Sequence, residues 1–496
     1  MKFLNSIKSI KIPKLNLKIT LDMFKEKRLR YGGYAALVTL AAALIVVVVN
    51  LIVQQIPAEI DMTKNKLFSL SEQTFDLLDS LENDVAIYPL YKTGAESQNV
   101  LDVLRKYERA SDKVRVEVID PDKSPAFLQK YESEDSYGLT SGSIIIESGD
   151  KHKVISSMDL YDVSYNQEGE ARVMGFKAEQ RITNGLLYVT SGYTPKIYEI
   201  TGHGEYSFIQ LGLYITVEKE NFLIEELNLL TAPSIPEDAD MIVVLSPGFD
   251  ITEGEAEVLR EFIEDGGSAL FFFDFTGVEI PVFNSLLQSY GVEVEMGIVM
   301  EGDKSRLYSS SNPLFLAPEL VSHDITSPLL DDDMTVLMRN AMHIKTLEMR
   351  RRNIEITSLL STTKDSYVRT DLANMSLLKQ PGDKIGPVDL AVAIEQQVYS
   401  QDEPEGYRLV VSGNGNFIGY IEPFGTLKAN IEFFLNSLSW LDKRSESISV
   451  RSKSLFTFPL QISGTMQLVY AAIFVILIPL GILITGLIIW LRRRHL

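Results

Sequence analysis

The 496-residue sequence contains no cysteine. Disulfide bonds, thiolate nucleophiles and cysteine zinc sites are therefore excluded. Histidine is also scarce, and the five histidines show no spacing typical of metal ligands: His152, His203, His323, His343 and His495. We therefore expect no metal site.

Motifs that carry chemistry are missing as well. The phosphate-binding motif G-x-x-x-x-G-K-[ST] does not occur, so the chain encodes no ATP site of that type. The nucleophile motif G-x-S-x-G and the zinc motif H-E-x-x-H are absent too. We therefore predict a protein that is not an enzyme, with no catalytic residues and no cofactor.

Charge is distributed unevenly along the chain, whose net charge is −20. Residues 1–30 hold nine Lys and Arg against one Asp and one Glu, and residues 492–494 are three consecutive Arg. The remainder is strongly acidic and repels nucleic acid, so we expect no nucleic-acid partner. The basic termini suit the cytoplasmic face of a membrane.

Two long apolar segments, residues 31–56 and 468–491, predict transmembrane helices. At 1.5 Å per residue the first makes about 39 Å of helix, enough to cross a hydrocarbon core of about 30 Å. Lys and Arg lie before the first segment and after the second, which predicts a two-pass protein of the cell membrane with both termini cytoplasmic. Residues 57–467 would then be extracytoplasmic. The alternative for the first segment, a cleaved signal peptide, fits poorly with its long basic region.

Periodicity predicts two α/β regions between the apolar segments. The first has the order β-α-β-α-β-β of a thioredoxin-like unit, without the C-x-x-C that redox chemistry needs. In the second, strands alternate with helices, which is typical of a doubly wound parallel sheet of the flavodoxin type. It includes a predicted helix over 206–221, an amphipathic helix over 425–444, and strands over 354–363, 389–396 and 407–418.

These patterns divide the chain into eight segments. They are a basic N-terminus (1–30), a first span (31–56), the thioredoxin-like unit (63–160), a connecting helix (175–192), the larger α/β domain (193–445, clearest over 195–300), a juxtamembrane segment (446–467), a second span (468–491) and a basic tail (492–496).

The segment "YEITGHGEYSF", residues 198–208, contains the candidate site. It places a glycine-rich loop at the carboxyl end of the first strand of the larger domain, where α/β proteins bind ligands. Glycine permits positive φ and close backbone approach. The histidine has the chemistry of an acid or base, and the acid after it can orient that side chain or cap a helix. The candidate residues for ligand or partner binding are Thr201, Gly202, His203, Gly204 and Glu205. A structural turn, a small-ligand site and a catalytic site remain alternatives.

Several stretches together resemble the auxiliary component of gliding-motility-type ABC transport systems. They are "LFSLSEQT" after the first span, "PKIYEITGHGEYS", "VVLSPGFDITEGEAEVLREFIEDGGSALFFFD", "SHDIT" and "NSLSWLDKRSESISVRSK". The resemblance implies a membrane-anchored protein with an exported amidotransferase-like domain, whose partners are two separate transporter subunits, an ABC permease and an ATPase. Amidotransferases of class I use a cysteine nucleophile, so the resemblance does not extend to that activity here.

Three functional hypotheses follow. The first is a non-catalytic auxiliary subunit of an ABC transport system, whose acidic extracytoplasmic region binds substrate, partner or cell-envelope material. The second is a membrane-anchored receptor for a solute or glycan, with its pocket at the 201–205 loop. The third is a hydrolase that uses His203 and Glu205.

Overall fold

The computed structural model describes residues 34, 37–48, 69–131, 139–165, 171–308, 312–349, 351, 353–371, 376–397, 406–421, 425–443, 453–454 and 472–494. The chain divides into two units, Met1–Met62 and Thr63–Leu496. Within the first unit, the structure describes one helix of more than a single turn, α1 (Leu37–Val48).

The first part of the larger unit is a four-stranded mixed sheet with the order β2-β1-β3-β4. β1 is parallel to β2, and β3 is antiparallel to both β1 and β4. The strands are β1 (Val85–Pro89), β2 (Val114–Val116), β3 (Ile144–Ser148) and β4 (Lys151–Ile155), and the helices are α2 (Glu72–Ser80), α3 (Gln98–Ala110), α4 (Pro125–Leu128) and α5 (Ala178–Thr190). The apolar residues of α2, α3 and α5 pack on this sheet in one core. This order is compatible with the thioredoxin-like interpretation, which stays a prediction.

The second part is built on an eight-stranded sheet. Its strands are β7 (Lys196–Thr201), β8 (Leu223–Asn228), β9 (Met241–Leu245), β10 (Ser268–Phe272), β14 (Glu319–Leu320), β17 (Ile354–Ser361), β20 (Asp389–Gln396) and β21 (Arg408–Ser412). The order is β14-β17-β20-β21-β10-β9-β7-β8. The five strands from β21 to β8 are parallel, and β20, β17 and β14 extend the sheet antiparallel. β9 and β10 are buried along their whole length, as strands covered on both faces must be.

Two apolar cores cover the two faces of this sheet. The helices of this part are α6 (Tyr214–Glu218), α7 (Glu253–Glu264), α8 (Pro281–Gln288), α9 (Ser327–Asp331) and α10 (Lys428–Leu441). α7 and α8 contribute to one core, and α6, α9 and α10 contribute to the other. The parallel half of the sheet is therefore enclosed between helical layers.

Smaller sheets surround these elements. They pair β5 (Tyr161–Tyr165), β6 (Ala171–Phe176) and β24 (Lys453–Ser454); β11 (Val292–Glu295) and β16 (His343–Thr346); β12 (Ile298–Met300), β18 (Tyr367–Arg369) and β19 (Lys384–Ile385); β13 (Phe315–Leu316) and β15 (Met338–Arg339); and β22 (Tyr420–Ile421) and β23 (Gly425–Thr426).

Two helices differ from the sequence-based expectation. The helix predicted over 206–221 is confined to α6, because Gly212 adopts φ +72° and a series of turns precedes it. The helix predicted as amphipathic over 425–444 is α10, and most of its residues are buried rather than one face alone. Its position between the sheet and α9 explains that burial.

The C-terminal apolar helix is α11 (Ile478–Arg494), which follows a π-helical segment, Ala472–Leu477. Val475–Arg492 has a mean hydropathy of 2.3 and is not buried against other parts of the protein. Within the described residues it is the one helix long and apolar enough to cross a membrane. α1 is shorter and lies inside the first predicted span, whose other residues except Tyr34 fall outside the described part of the chain.

Candidate functional site

The order of the parallel strands places the switch point of the sheet next to the predicted loop. In sequence order β7, β8, β9, β10 and β21 are the first to fifth parallel strands, and in space they lie 2-1-3-4-5. The direction of the strand order reverses between β7 and β9, and ligands of open α/β sheets bind outside the carboxyl ends at such a point. The predicted loop 201–205 follows β7, and residues 246–250 follow β9. The structure therefore places both segments at this switch point.

The glycines of the loop have the backbone conformations expected of them. Gly202 adopts φ +125° and Gly204 adopts φ +81°. A Cβ atom on Gly202 would lie 3.1 Å from Asn228 Oδ1 and 3.2 Å from Leu230 Cγ. Positive φ and close approach both disfavour a side chain at this position. The loop is thus packed tightly against the end of β8.

Main-chain hydrogen bonds join this loop to the one after β9. The carbonyl oxygen of His203 accepts from the amide of Gly248 at 2.9 Å and from the amide of Phe249 at 3.1 Å. The amide of Tyr206 donates to the carbonyl oxygen of Leu245 at 2.9 Å. The two loops at the switch point therefore form one connected structure.

The imidazole of His203 lies between two carboxylates. Its Nδ1 is 3.3 Å from Glu205 Oε1, and its Nε2 is 3.2 Å from Glu255 Oε2. The residue is only 6% exposed. This arrangement holds the ring inside the protein, between the loop after β7 and the first turn of α7.

Glu255 belongs to a capping box that starts α7. The hydroxyl of Thr252 accepts from the amide of Glu255, and the Glu255 carboxylate accepts from the amide of Thr252 at 2.8 Å. Burial raises the pKa of Glu255, but hydrogen bonds from Thr252 and the nearby His203 outweigh it and hold this pKa below the usual value. The carboxylate is therefore charged where it meets the imidazole.

Glu205 has a different role from helix capping. One of its oxygens, Oε2, accepts from the backbone amide of His203 at 2.7 Å. No α-helix begins directly after it, because the next one is α6 at Tyr214. The capping role considered for Glu205 is therefore wrong, whereas its proximity to the His203 ring agrees with the orienting role.

A second buried carboxylate, Glu199, lies in β7 just before the loop. It is 3% exposed and accepts a hydrogen bond from the amide of Phe208. Burial raises the pKa of Glu199 to about 7, and the charge of Glu226 adds to that rise. The bond to the Phe208 amide acts in the opposite direction. The Glu199 carboxyl therefore keeps its proton to a higher pH than an ordinary glutamate does.

Other polar residues at the same sheet edge were not predicted from the sequence. Asp274, after β10, accepts from Asn414 Nδ2 at 2.7 Å and from the amide of Gly415 at 2.9 Å, which ties together the ends of β10 and β21. Ser246, directly after β9, is buried and adopts φ +53°. The position of Asp274 after an apolar strand was the one available signal, because its partner lies 140 residues away.

A cavity of about 620 Å³ lies at the opposite edge of the sheet, beside the amino ends of β9 and β10. Its lining includes Tyr193, Asp240, Phe262, Asp265 and Lys443. The five predicted site residues do not line it. Among the described residues, no group of three or more His, Asp or Glu is arranged to hold a metal ion.

Comparisons with known proteins give weak structural likenesses. The N-terminal domain of mmIFT52 matches with 14% identity and a TM-score of 0.36, covering 50% of this chain and 97% of that one. A putative GMP synthase protein from Thermoplasma acidophilum matches with 10% identity and a TM-score of 0.26, covering 50% and 94%. Neither score bears on fold or function. No curated protein matches the sequence.

Two family models match parts of the chain. Residues 64–160 match a domain of unknown function, DUF7088. Residues 194–419, which contain the switch point and all five candidate residues, match the family described as an ABC-type uncharacterized transport system. This second match supports an ABC transporter auxiliary component with an accessory role in a transport system.

Proposed function

We propose that this protein is a non-catalytic auxiliary subunit of an ABC transport system. Separate permease and ATPase subunits would drive transport, while the region between the apolar segments binds substrate, a partner or cell-envelope material. The observation that carries the proposal is the family match over residues 194–419. The missing phosphate-binding motif supports it, because such a component relies on ATP hydrolysis by another chain.

The finer resemblance is part of the same proposal. We assign the α/β part to an amidotransferase-like domain of a gliding-motility-type system, and residues 63–160 to a thioredoxin-like unit without redox chemistry. The 2-1-3-4-5 order of five parallel strands supports the first assignment. The order β2-β1-β3-β4, with β3 antiparallel to its neighbours, supports the second.

The loop 201–205 acts as a contact site in this proposal. His203 is already engaged by Glu205 and Glu255, and its carbonyl oxygen by two amides. Among the hydrogen bonds of the described residues, none joins the imidazole to a hydroxyl. These contacts favour a structural role for the ring over that of the base in the hydrolase alternative.

Co-purification tests the proposed function. The full chain, tagged at its C-terminus and extracted in mild detergent, should retain a multi-span permease and an ATPase identified by mass spectrometry. An unrelated two-pass membrane protein of the same host, tagged identically, serves as control. If the tagged chain retains neither the permease nor the ATPase above that control, the proposed auxiliary role fails.

The proposed two-pass topology has a direct test because the chain contains no cysteine. A single cysteine at Met349, whose side chain is 90% exposed, should react with a membrane-impermeant maleimide in intact cells. A cysteine at Ser6 should react only after the cells are broken. The reverse pattern would place residues 57–467 in the cytoplasm.

The cavity beside β9 and β10 supports a receptor as a second candidate, but with its solute at the opposite edge of the sheet and not at the 201–205 loop where the sequence predicted the pocket. Its volume of about 620 Å³ is within the range of about 300–1,000 Å³ typical of small-molecule sites. A bound solute would raise the melting temperature of the full chain by an amount that grows with the ratio of its free concentration to its Kd. This candidate fails if no sugar, peptide or ion in a panel shifts the melting temperature of either the wild type or Phe262→Ala.

A further inference from the structure

Four large apolar side chains are exposed around the loop at the switch point. They are Tyr206 (45% exposed), Ile209 (66%), Leu230 (60%) and Phe249 (65%). We call them the switch-point patch. Isolated exposed apolar residues are ordinary on protein surfaces, but a group of them is typical of an interaction site.

The loop itself brings these side chains together. Leu230 flanks Gly202, where an added Cβ would lie 3.2 Å from its Cγ. Phe249 flanks Gly204 on the other side, 3.8 Å from the corresponding position. The bond from the Phe249 amide to the carbonyl oxygen of His203 fixes that second contact. The two glycines thus form a shallow floor between two apolar residues.

Tyr206 and Ile209 are exposed on the segment that follows the loop. The Tyr206 amide is bonded to Leu245 at the end of β9, and Phe208 between the two is fully buried. Anchoring Phe208 in the core while leaving its neighbours in solvent fixes the direction of this segment. The patch is therefore presented by an ordered main chain.

Acidic side chains are exposed on two of the elements next to the patch. Glu226 on β8 and Glu253 at the start of α7 are both exposed. An anionic bilayer is repelled by such a surface, and a second copy of this chain carries the same negative charge. Charge complementarity therefore selects a basic partner.

We propose that the switch-point patch docks a protein segment whose apolar side chains are flanked by Lys or Arg. The apolar side chains would cover Phe249, Leu230, Tyr206 and Ile209, and the basic residues would face Glu226 and Glu253. This rests on the proposed function in that such a segment would belong to a partner protein of the transport system. It extends that function by assigning the contact to one surface and one partner chemistry.

Photo-crosslinking of the full chain in its native membranes tests the proposal. The probe is p-benzoylphenylalanine in place of Phe249, and the same probe in place of Met349 is the control, because Met349 is also exposed and lies outside the patch. We expect the probe at position 249 to form an adduct with a protein segment that mass spectrometry shows to contain apolar residues flanked by Lys or Arg. Position 349 should not give that adduct.

Variants that change the charge or the shape of the switch-point patch test whether the adduct depends on it. Leu230→Ser, made in the probe-bearing chain, should lower the adduct yield about tenfold, as the loss of a central contact does. Glu253→Lys in the same chain should also lower the yield, because it places a positive charge opposite the basic residues of the partner. Met349→Ser should leave it unchanged. The melting temperature of each variant is measured in parallel, and the exposed positions should leave it within about 2 °C of wild type.

Other outcomes overturn the proposal. They are adducts with lipid only, adducts with a second copy of this chain only, equal yields at positions 249 and 349, no adduct, or yields indifferent to Glu253→Lys. Co-purification of permease and ATPase reads the proposed function independently. If the chain retains the permease and the ATPase but forms no adduct, only the proposal for the switch-point patch fails. If the adduct forms but neither subunit is retained, only the proposed role in transport fails.

Discussion

His203 Nε2 lies 3.2 Å from Glu255 Oε2, and this contact joins the loop after the first parallel strand to the helix after the third. The two residues are 52 positions apart, and both are nearly buried. Because Glu255 also closes the capping box of α7, one carboxylate serves the start of a helix and the histidine of the loop. The contact therefore ties together two of the segments that meet at the switch point.

Replacing His203 should therefore destabilise the domain. His203→Ala leaves the Glu255 carboxylate without the imidazole beside it, at a cost of about 1–3 kcal/mol for a buried polar group that loses a partner. Thermal unfolding of the full chain in detergent, followed by tryptophan fluorescence, measures this loss, since the buried Trp440 in α10 reports on the domain.

The control is His152→Ala, an exposed histidine in β4 that should change stability by less than about 0.5 kcal/mol. Glu255→Gln in the His203→Ala background distinguishes the effect of the Glu255 charge from that of the helix cap, because glutamine can still form a capping box. Equal stability of His203→Ala and wild type would refute the structural role assigned to the imidazole.

The glycine conformation of the loop leads to a second expectation. Gly202→Ala should cost about 1–3 kcal/mol, because alanine is strained at φ +125° and its Cβ would contact Asn228 and Leu230. Gly192→Ala is the matched control, since a Cβ there meets no atom within 4 Å. Unfolding midpoints of the two variants should differ clearly, and coinciding midpoints would contradict the strain argument.

A third expectation concerns the contact between the four-stranded and eight-stranded parts. Arg181 of α5 pairs with Glu220 at 2.9 Å, and Asn184 donates to the other oxygen of Glu220 at 2.6 Å. Both charged side chains are largely buried. Glu220→Ala leaves the Arg181 charge unpaired, and breaking a buried pair in this way costs about 3–5 kcal/mol.

The exposed pair of Asp102 and Arg105 is the comparison for that variant. Asp102→Ala should cost less than about 1 kcal/mol, as surface ion pairs do. Limited proteolysis of the full chain adds a second reading, because Glu220→Ala should expose the connection near Gly192 to cleavage. An unchanged midpoint together with an unchanged cleavage pattern would show that Glu220 does not hold the two parts together.

Local patterns were sufficient to predict much of this architecture. The alternation of strands and helices in the larger domain and the helix over 425–444 follow from residues close together in the chain. The 201–205 loop was predicted at the carboxyl edge because it follows an apolar strand and contains two glycines. Such features depend on neighbours within a few residues, which is the range over which periodicity and turn chemistry act.

Features that depend on distant partners were not predictable in the same way. The strands β17 and β20 were expected, but their antiparallel direction depends on connections whose course the sequence pattern does not reveal. The contact between His203 and Glu255 requires β9 to lie next to β7, which only the sheet order decides. The helix expected over 206–221 was interrupted because Phe208 and Leu213 are buried in the core from turns on either side of Gly212.

The final expectation concerns pH and Glu199. The pKa of this carboxyl is raised to about 7 by burial, from an ordinary value near 4.5, so the folded protein holds a proton that the unfolded chain has released. The stabilising contribution is present below pH 4.5 and is lost as the pH rises through 7.

Glu199→Gln keeps an oxygen that accepts from the amide of Phe208 and removes the charge. The variant should therefore gain stability relative to wild type between pH 5 and pH 8, measured as the difference between their unfolding midpoints at each pH. Glu257→Gln makes the same substitution at an exposed position of α7 and serves as the control. A difference between Glu199→Gln and wild type that is the same at both pH values would mean that Glu199 is ionised in the folded protein throughout this range.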